Sequence, residues 1–110
     1  MPSQTVISVN GPLPLKATFN SPSSLPMILF VSGSAYTSGQ GGWIGAVVTL
    51  DNATIGELVV WCNLSEAHSA LIPLMLPVNA GFGEHTVTLT AINDQTVTDQ
   101  NDYFNVVLIY

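Results

Sequence analysis

No stretch of this chain runs much beyond about ten residues before a cluster of Pro, Gly, Asn, Asp or Ser interrupts it, which is the spacing of short strands and turns. Asn10-Gly11-Pro12, Ser21-Pro22-Ser23-Ser24, the SGSAYTSGQGG segment, Asp51-Asn52 and the run from Pro77 to Gly83 are the interruptions. Strands are expected over 4–9, 15–20, 27–32, 43–50, 54–62, 70–76, 85–92 and 103–110. Asp51-Asn52 joins two apolar runs and reads as a hairpin turn. In EHTVTLTAI, Val87, Leu89 and Ala91 alternate with Thr86, Thr88 and Thr90, the pattern of a half-solvated antiparallel strand. His85 shares the parity of Val87, which puts it at the rim of the core. No amphipathic helix of useful length appears. The expected fold is all-β, an antiparallel jelly-roll β-sandwich of about eight strands, as a single domain over 1–110.

Other strands are apolar on both faces: Met27-Ile28-Leu29-Phe30-Val31, Leu58-Val59-Val60-Trp61, and YFNVVLIY at the end. A two-layer sandwich buries one face of each strand. Charged residues make up only 7% of the chain, so little is available to solvate a second apolar face. Another copy of the chain is the simplest cover, and a homo-oligomer is expected.

Seven acidic residues stand against a single base, Lys16, for a formal charge of −6. Phosphate backbones are bound through Lys and Arg, so nucleic acid is excluded as a partner, and anionic membrane surfaces are disfavoured in the same way. The apolar stretch 17–50 is broken by Pro, Gly, Ser and Asn and does not read as a membrane-inserted helix. MPSQTVISV lacks the basic and apolar regions of a signal peptide. Synthesis in the cytoplasm, with any release non-classical, is therefore expected, and the two N-x-S/T sequons at Asn52 and Asn63 read as chance. The one cysteine, Cys62, cannot form an intramolecular disulfide and sits in an apolar run as an inert thiol.

Three stretches carry candidate chemistry. The segment NDQTVTDQND offers Asp99, Asn101 and Asp102, the oxygen-bearing side chains that calcium takes; the same residues also suit an ordinary polar turn. The Gly- and Ser-rich loop bracketed by Tyr36 and Trp43 matches no phosphate-binding motif. Its aromatics could stack on a sugar ring while polar neighbours donate hydrogen bonds, or Trp43 could simply start the next strand facing inward. NLSEAHSA places Glu66 and His68 two apart, the spacing of an acid–base pair on a strand, with Ser65 and Ser69 nearby but no nucleophile elbow; a locally hydrogen-bonded histidine explains it equally. His68, His85 and Cys62 lack zinc-ligand spacing.

The D-x-N-D-Y spelling from Asp99 to Tyr103 resembles the C-terminal calcium loop of small bacterial two-calcium lectins of the fucose- and mannose-binding type. That resemblance implies Asp99, Asn101 and Asp102 as metal ligands. Upstream, where that family carries further acids, this chain has Asn93 and Val97, and it ends in Tyr110 rather than glycine; one calcium is implied rather than two. GEHTVTLTA, followed by a hairpin and YFNVVLIY, is similar to the last two strands of tumour-necrosis-factor-like jelly rolls, including bacterial trimeric lectins of that shape. The implied assembly is a trimer, and this likeness bears on fold and oligomer state only; glycans as ligands belong to the lectin reading. The expectation is thus a non-catalytic, lectin-like carbohydrate-binding module. Its alternative is a structural trimerisation or fibre-tip domain without a small ligand.

Overall fold

The computed structural model describes residues 2–110. Eleven strands follow in order: β1 (Ser3–Asn10), β2 (Leu15–Ser21), β3 (Met27–Ser32), β4 (Ser34–Thr37), β5 (Gly42–Leu50), β6 (Ala53–Cys62), β7 (Ser69–Ala70), β8 (Leu74–Val78), β9 (Gly83–Ala91), β10 (Thr96–Val97) and β11 (Tyr103–Ile109). The eight longer ones other than β4, β7 and β10 form two antiparallel four-stranded sheets, β1-β11-β3-β8 and β2-β9-β5-β6. Successive long strands alternate between the sheets except at β5 and β6. This is the double Greek key of a jelly roll.

The β5–β6 exception is where the Asp51-Asn52 turn lies. Both residues hold positive φ, 51° and 69°, as the two-residue hairpin turn that matches strand twist requires. The other proposed hairpin is not one. β9 and β11 belong to different sheets, so the 92–102 segment crosses between layers. β8 also differs from its expected span, starting later and continuing through Pro77. β8 is an edge strand, and an edge tolerates a residue that cannot donate to a ladder.

The core is the space between the sheets. Leu29, Val31, Phe104, Val106 and Leu108 enter it from one side, and Ile44, Ala46, Val48, Leu58, Val87 and Leu89 from the other. Alternate residues face out, as the parity of 85–92 and 103–109 indicated. A three-stranded mini-sheet, β10-β4-β7, closes one end. It is fastened to β5 by Thr96, whose Oγ1 accepts the Gly45 amide at 3.1 Å and donates to Asn93 Oδ1 at 2.8 Å.

Between β3 and this mini-sheet the chain passes over the buried Phe104 ring at Gly33. A Cβ there would stand 2.3 Å from Phe104 Cδ1. Phe104 is buried in the core, where side chains are close-packed. Gly33→Ala is expected to destabilise the domain by about 1–3 kcal/mol, read as a lowered urea midpoint at unchanged slope; an unchanged midpoint would show that the loop slides away without cost.

Candidate functional site

Two side-chain clusters stand out, one under the mini-sheet and one on the outside of β5 and β6.

The first is organised by Asp102, which is fully buried at the foot of β11. Its Oδ1 accepts the Ser34 hydroxyl at 2.7 Å and His68 Nδ1–H at 2.8 Å. Its Oδ2 accepts the Asp99 amide at 2.9 Å. A buried carboxylate is tolerated when its lone pairs are met by donors in this way. Asp99 is part-exposed, and its Oδ1 accepts the Asn101 amide at 2.8 Å, a turn-forming bond. Its Oδ2 lies 3.8 Å from His68 Nε2. Tyr36 on β4 packs its ring on the His68 imidazole, with centroids 4.5 Å apart.

The His68 pKa is raised above its usual 6.5, first by the hydrogen bond to Asp102, against partial desolvation, and then by the charges of Asp102 and Asp99. The Tyr36 hydroxyl is also raised, by desolvation and then by the Asp99 and Asp102 carboxylates. The acid partner of His68 is therefore Asp102, not Glu66. Glu66 sits at positive φ with an exposed side chain, and its amide bonds the Thr37 carbonyl.

As a metal site this cluster brings His68, Asp99 and Asp102 together, with ligand atoms within 4.8 Å of one another. Asn101 stays exposed on the turn. Calcium takes six to eight oxygens. Here one ligand atom is an imidazole nitrogen, and both Asp102 oxygens already accept protein hydrogen bonds. The donor set, as folded, does not fit a calcium cage.

A second histidine–carboxylate pair sits at the hairpin end. His85, at the core's rim against Phe19, bonds Asp51 Oδ2 through Nδ1, while Nε2 meets the Gly81 carbonyl at 3.1 Å. Both ring nitrogens face acceptors, so the imidazolium form satisfies both. The His85 pKa is accordingly raised, chiefly by Asp51, and that of Asp51 is lowered, chiefly by His85.

The second cluster is aromatic. Trp43 opens the outer face of β5, not the inner, and pairs directly across from Trp61 on β6. The rings meet edge to face, with centroids 5.3 Å apart at 87°. Both stay in solvent, 54% and 51% exposed. Trp61 Nε1–H donates to Asn63 Oδ1 at 2.6 Å, and Asn93 Nδ2–H to the Trp43 carbonyl at 2.8 Å. The two form a corner, one indole presenting its face and the other standing as a wall. Tyr36 and Trp43 thus go to different ring partners, and Trp61 is the residue that sequence reasoning left in a generic apolar run. No enclosed cavity exists among the described residues.

No protein-family model matches the chain, and no curated protein matches it. Solved structures do. The CBM36-1 domain of a multidomain xylanase from the hindgut metagenome of Trinervitermes trinervoides superposes with a TM-score of 0.53 at 13% identity, over 99% of this chain and 97% of that one. The EclA C-terminal domain, a sugar-binding protein, superposes with a TM-score of 0.50 at 11% identity, over 96% and 75%. The likeness is one of fold. It places the chain among antiparallel β-sandwiches.

The raised histidines fix the direction of a pH effect. A histidine whose folded pKa lies above its unfolded value contributes stability in full below the unfolded value, about 6.5, and loses it as pH rises through the folded one. Asp51, lowered, contributes above its unfolded 3.8 and loses it as pH falls through the folded value. Melting temperature is expected to decline on the alkaline side of pH 6.5, with a smaller decline in His68→Gln/His85→Gln. By NMR, Asp102→Asn should return the His68 titration towards 6.5; no change would mean that Asp102 does not hold the proton.

Proposed function

We propose that this protein is a non-catalytic carbohydrate-binding module whose primary contact is the Trp43–Trp61 corner. The exposed indole pair carries this reading. Tryptophan is a large apolar side chain, and two of them in edge contact on an outer face form an apolar patch of the kind that marks a binding site. Sugar rings have apolar C–H faces that stack on indole and a rim of hydroxyls that suits polar neighbours. Two further observations support it: the fold is shared with a xylanase's CBM36-1 domain and with a sugar-binding domain, and the surface is open. Tyr36, beside His68 and Asp99, is the third aromatic we assign to ligand contact.

Trp43→Ala is expected to weaken glycan binding tenfold or more, about 1.4 kcal/mol. Being exposed, it should change stability by no more than about 1 kcal/mol. A glycan array probed with the unmodified, folded protein is the direct check. A blank array would favour the assembly-domain alternative.

That alternative keeps one observation of its own. On the outer face of the β1-β11-β3-β8 sheet, Val107 pairs with Phe30 and Phe30 with Met75, while Ile109 pairs with Ile28 and Ile28 with Pro77. This apolar face is suited to a second copy of the chain, and we propose a homo-oligomer, a trimer in the jelly-roll lectin reading. Repeated weak sites then gain avidity. Light scattering at micromolar concentration should give a multiple of the 11.6 kDa chain mass, reduced by Phe30→Asp; a monomer would sink the proposal.

For calcium at Asp99, Asn101 and Asp102, the donor set leads us to expect no gain in melting temperature over a chelator control. Binding at hundredfold excess over Kd would add about 2.7 kcal/mol, roughly 10 °C for a domain this size. A rise that large, lost in Asp99→Ala, would mean that the loop rearranges to free Asp102 for the ion.

A further inference from the structure

The Trp43–Trp61 corner is one end of a longer surface. Strand register gives the outward rows of the β2-β9-β5-β6 sheet in order. After Trp61–Trp43 comes Val59–Gly45, then Glu57–Val47–Thr90, then Thr54–Thr49–Thr88–Lys16, then Thr86–Thr18. The inward rows between them are core: Ala46, Val48, Leu58, Val87 and Leu89 are buried. From Trp43 to Thr49 along β5 is about 20 Å at about 3.4 Å per residue, room for several hexose rings in an extended chain.

The chemistry of this surface changes in one direction. It begins with two indoles, passes a buried, side-chain-free step at Gly45, and becomes a ladder of threonines across four strands. Thr18 and Thr54 are exposed and Thr49, Thr86, Thr88 and Thr90 half-buried. Among the described residues, the threonine hydroxyls engaged by protein groups are those of Thr37, Thr96 and Thr98, none of them on this face. Gly45 also cannot be filled: a Cβ there would meet the Leu58 carbonyl oxygen at 2.0 Å. Charge on the face is sparse, with Lys16 the only cation against Glu57 and Glu84, in a chain of net charge −6.

We infer that the outer face of this sheet is a track for the internal stretch of a neutral, extended polysaccharide, anchored at the Trp43–Trp61 corner and held along the threonine rows. This rests on the carbohydrate-binding reading above and adds to it where the chain lies and what it reads. A face open along its length lets an internal stretch of a chain lie over it. An acidic polysaccharide would meet net negative charge and a single lysine. A neutral chain lying along the strands meets aromatic faces first and hydroxyls after.

The test is calorimetric titration of the unmodified protein with mono-, tri- and hexasaccharides of three β-1,4-linked neutral series, built on xylose, glucose and mannose, beside polygalacturonate. Affinity in at least one neutral series should rise tenfold or more from monosaccharide to hexasaccharide and exceed that for polygalacturonate. Thr88→Val/Thr90→Val keeps the β-branched shape and removes two hydroxyls. It should cancel most of that gain while leaving monosaccharide affinity within about twofold, and Trp61→Ala should weaken both. A monosaccharide bound as tightly as the hexasaccharide would overturn the track and leave the carbohydrate reading standing. Tighter binding of polygalacturonate would overturn its neutrality. No binding of any sugar by the folded protein would overturn both. The length series needs no variant, so a poorly folding double mutant would not spare the proposal.

Discussion

The buried Asp102 carboxylate is the point on which the mini-sheet end of this molecule depends. It lies where β11 begins, and β11 is a central strand of its sheet. Through three hydrogen bonds it holds Ser34 of β4, His68 ahead of β7, and the turn at Asp99. Its own carbonyl accepts the Gly11 amide at 2.7 Å, where the chain leaves β1. Four segments distant in sequence are thus joined through one residue. A charge fully removed from water is costly unless it is hydrogen-bonded, and Asp102 accepts three such bonds, so losing any one raises the cost of its burial. The D-x-N-D spelling, which invites a cation, is here answered by protein donors.

Those donors also explain why the two outer faces can differ. With one end locked and the core filled from both sheets, neither outer face is needed to hold the domain together. One face is then free to be apolar, with Ile28, Phe30, Met75, Val107 and Ile109, and the other to be hydroxylic, with threonines on four strands. A chain with only eight charged residues, seven acidic and one basic, keeps its surface wet by hydroxyls and amides more than by charge.

Much of the fold was legible because its determinants are local. Turn residues at regular intervals and period-two alternation marked the eight long strands, and Asp51-Asn52 announced its hairpin through the only local chemistry that a two-residue turn requires. What was not legible is non-local. β4, β7 and β10 are two to four residues long and are strands only because they pair with one another; no pattern of that length distinguishes them from loop. The partner of His68 lies 34 residues away in sequence, so the nearer Glu66 attracted the assignment on spacing alone. The jump of 92–102 between sheets reads locally as a hairpin, because a turn cluster does not say which sheet the next strand joins.

The indole corner shows how small a feature can decide a site. The turn at Asp51-Asn52 pairs Leu50 with Ala53 and Thr49 with Thr54, but Val48 pairs with Gly56. Ile55 is therefore an extra residue, a β-bulge on β6. Without it the register would continue unshifted, Trp43 would face Val60, and every side chain of β6 beyond the bulge would change sheet face. Leu58 would leave the core and Trp61 would enter it. With the bulge, Leu58 is 1% exposed and Trp61 stands outside beside Trp43. The one sequence signal for this shift is Gly56, a glycine inside a strand pattern, which often marks a bulge or a close approach. Here it marks both, since a Cβ at Gly56 would come within 2.9 Å of Leu76 on the facing sheet. The same step that keeps Leu58 in the core thus creates the aromatic corner, so the site is a consequence of how the core is packed.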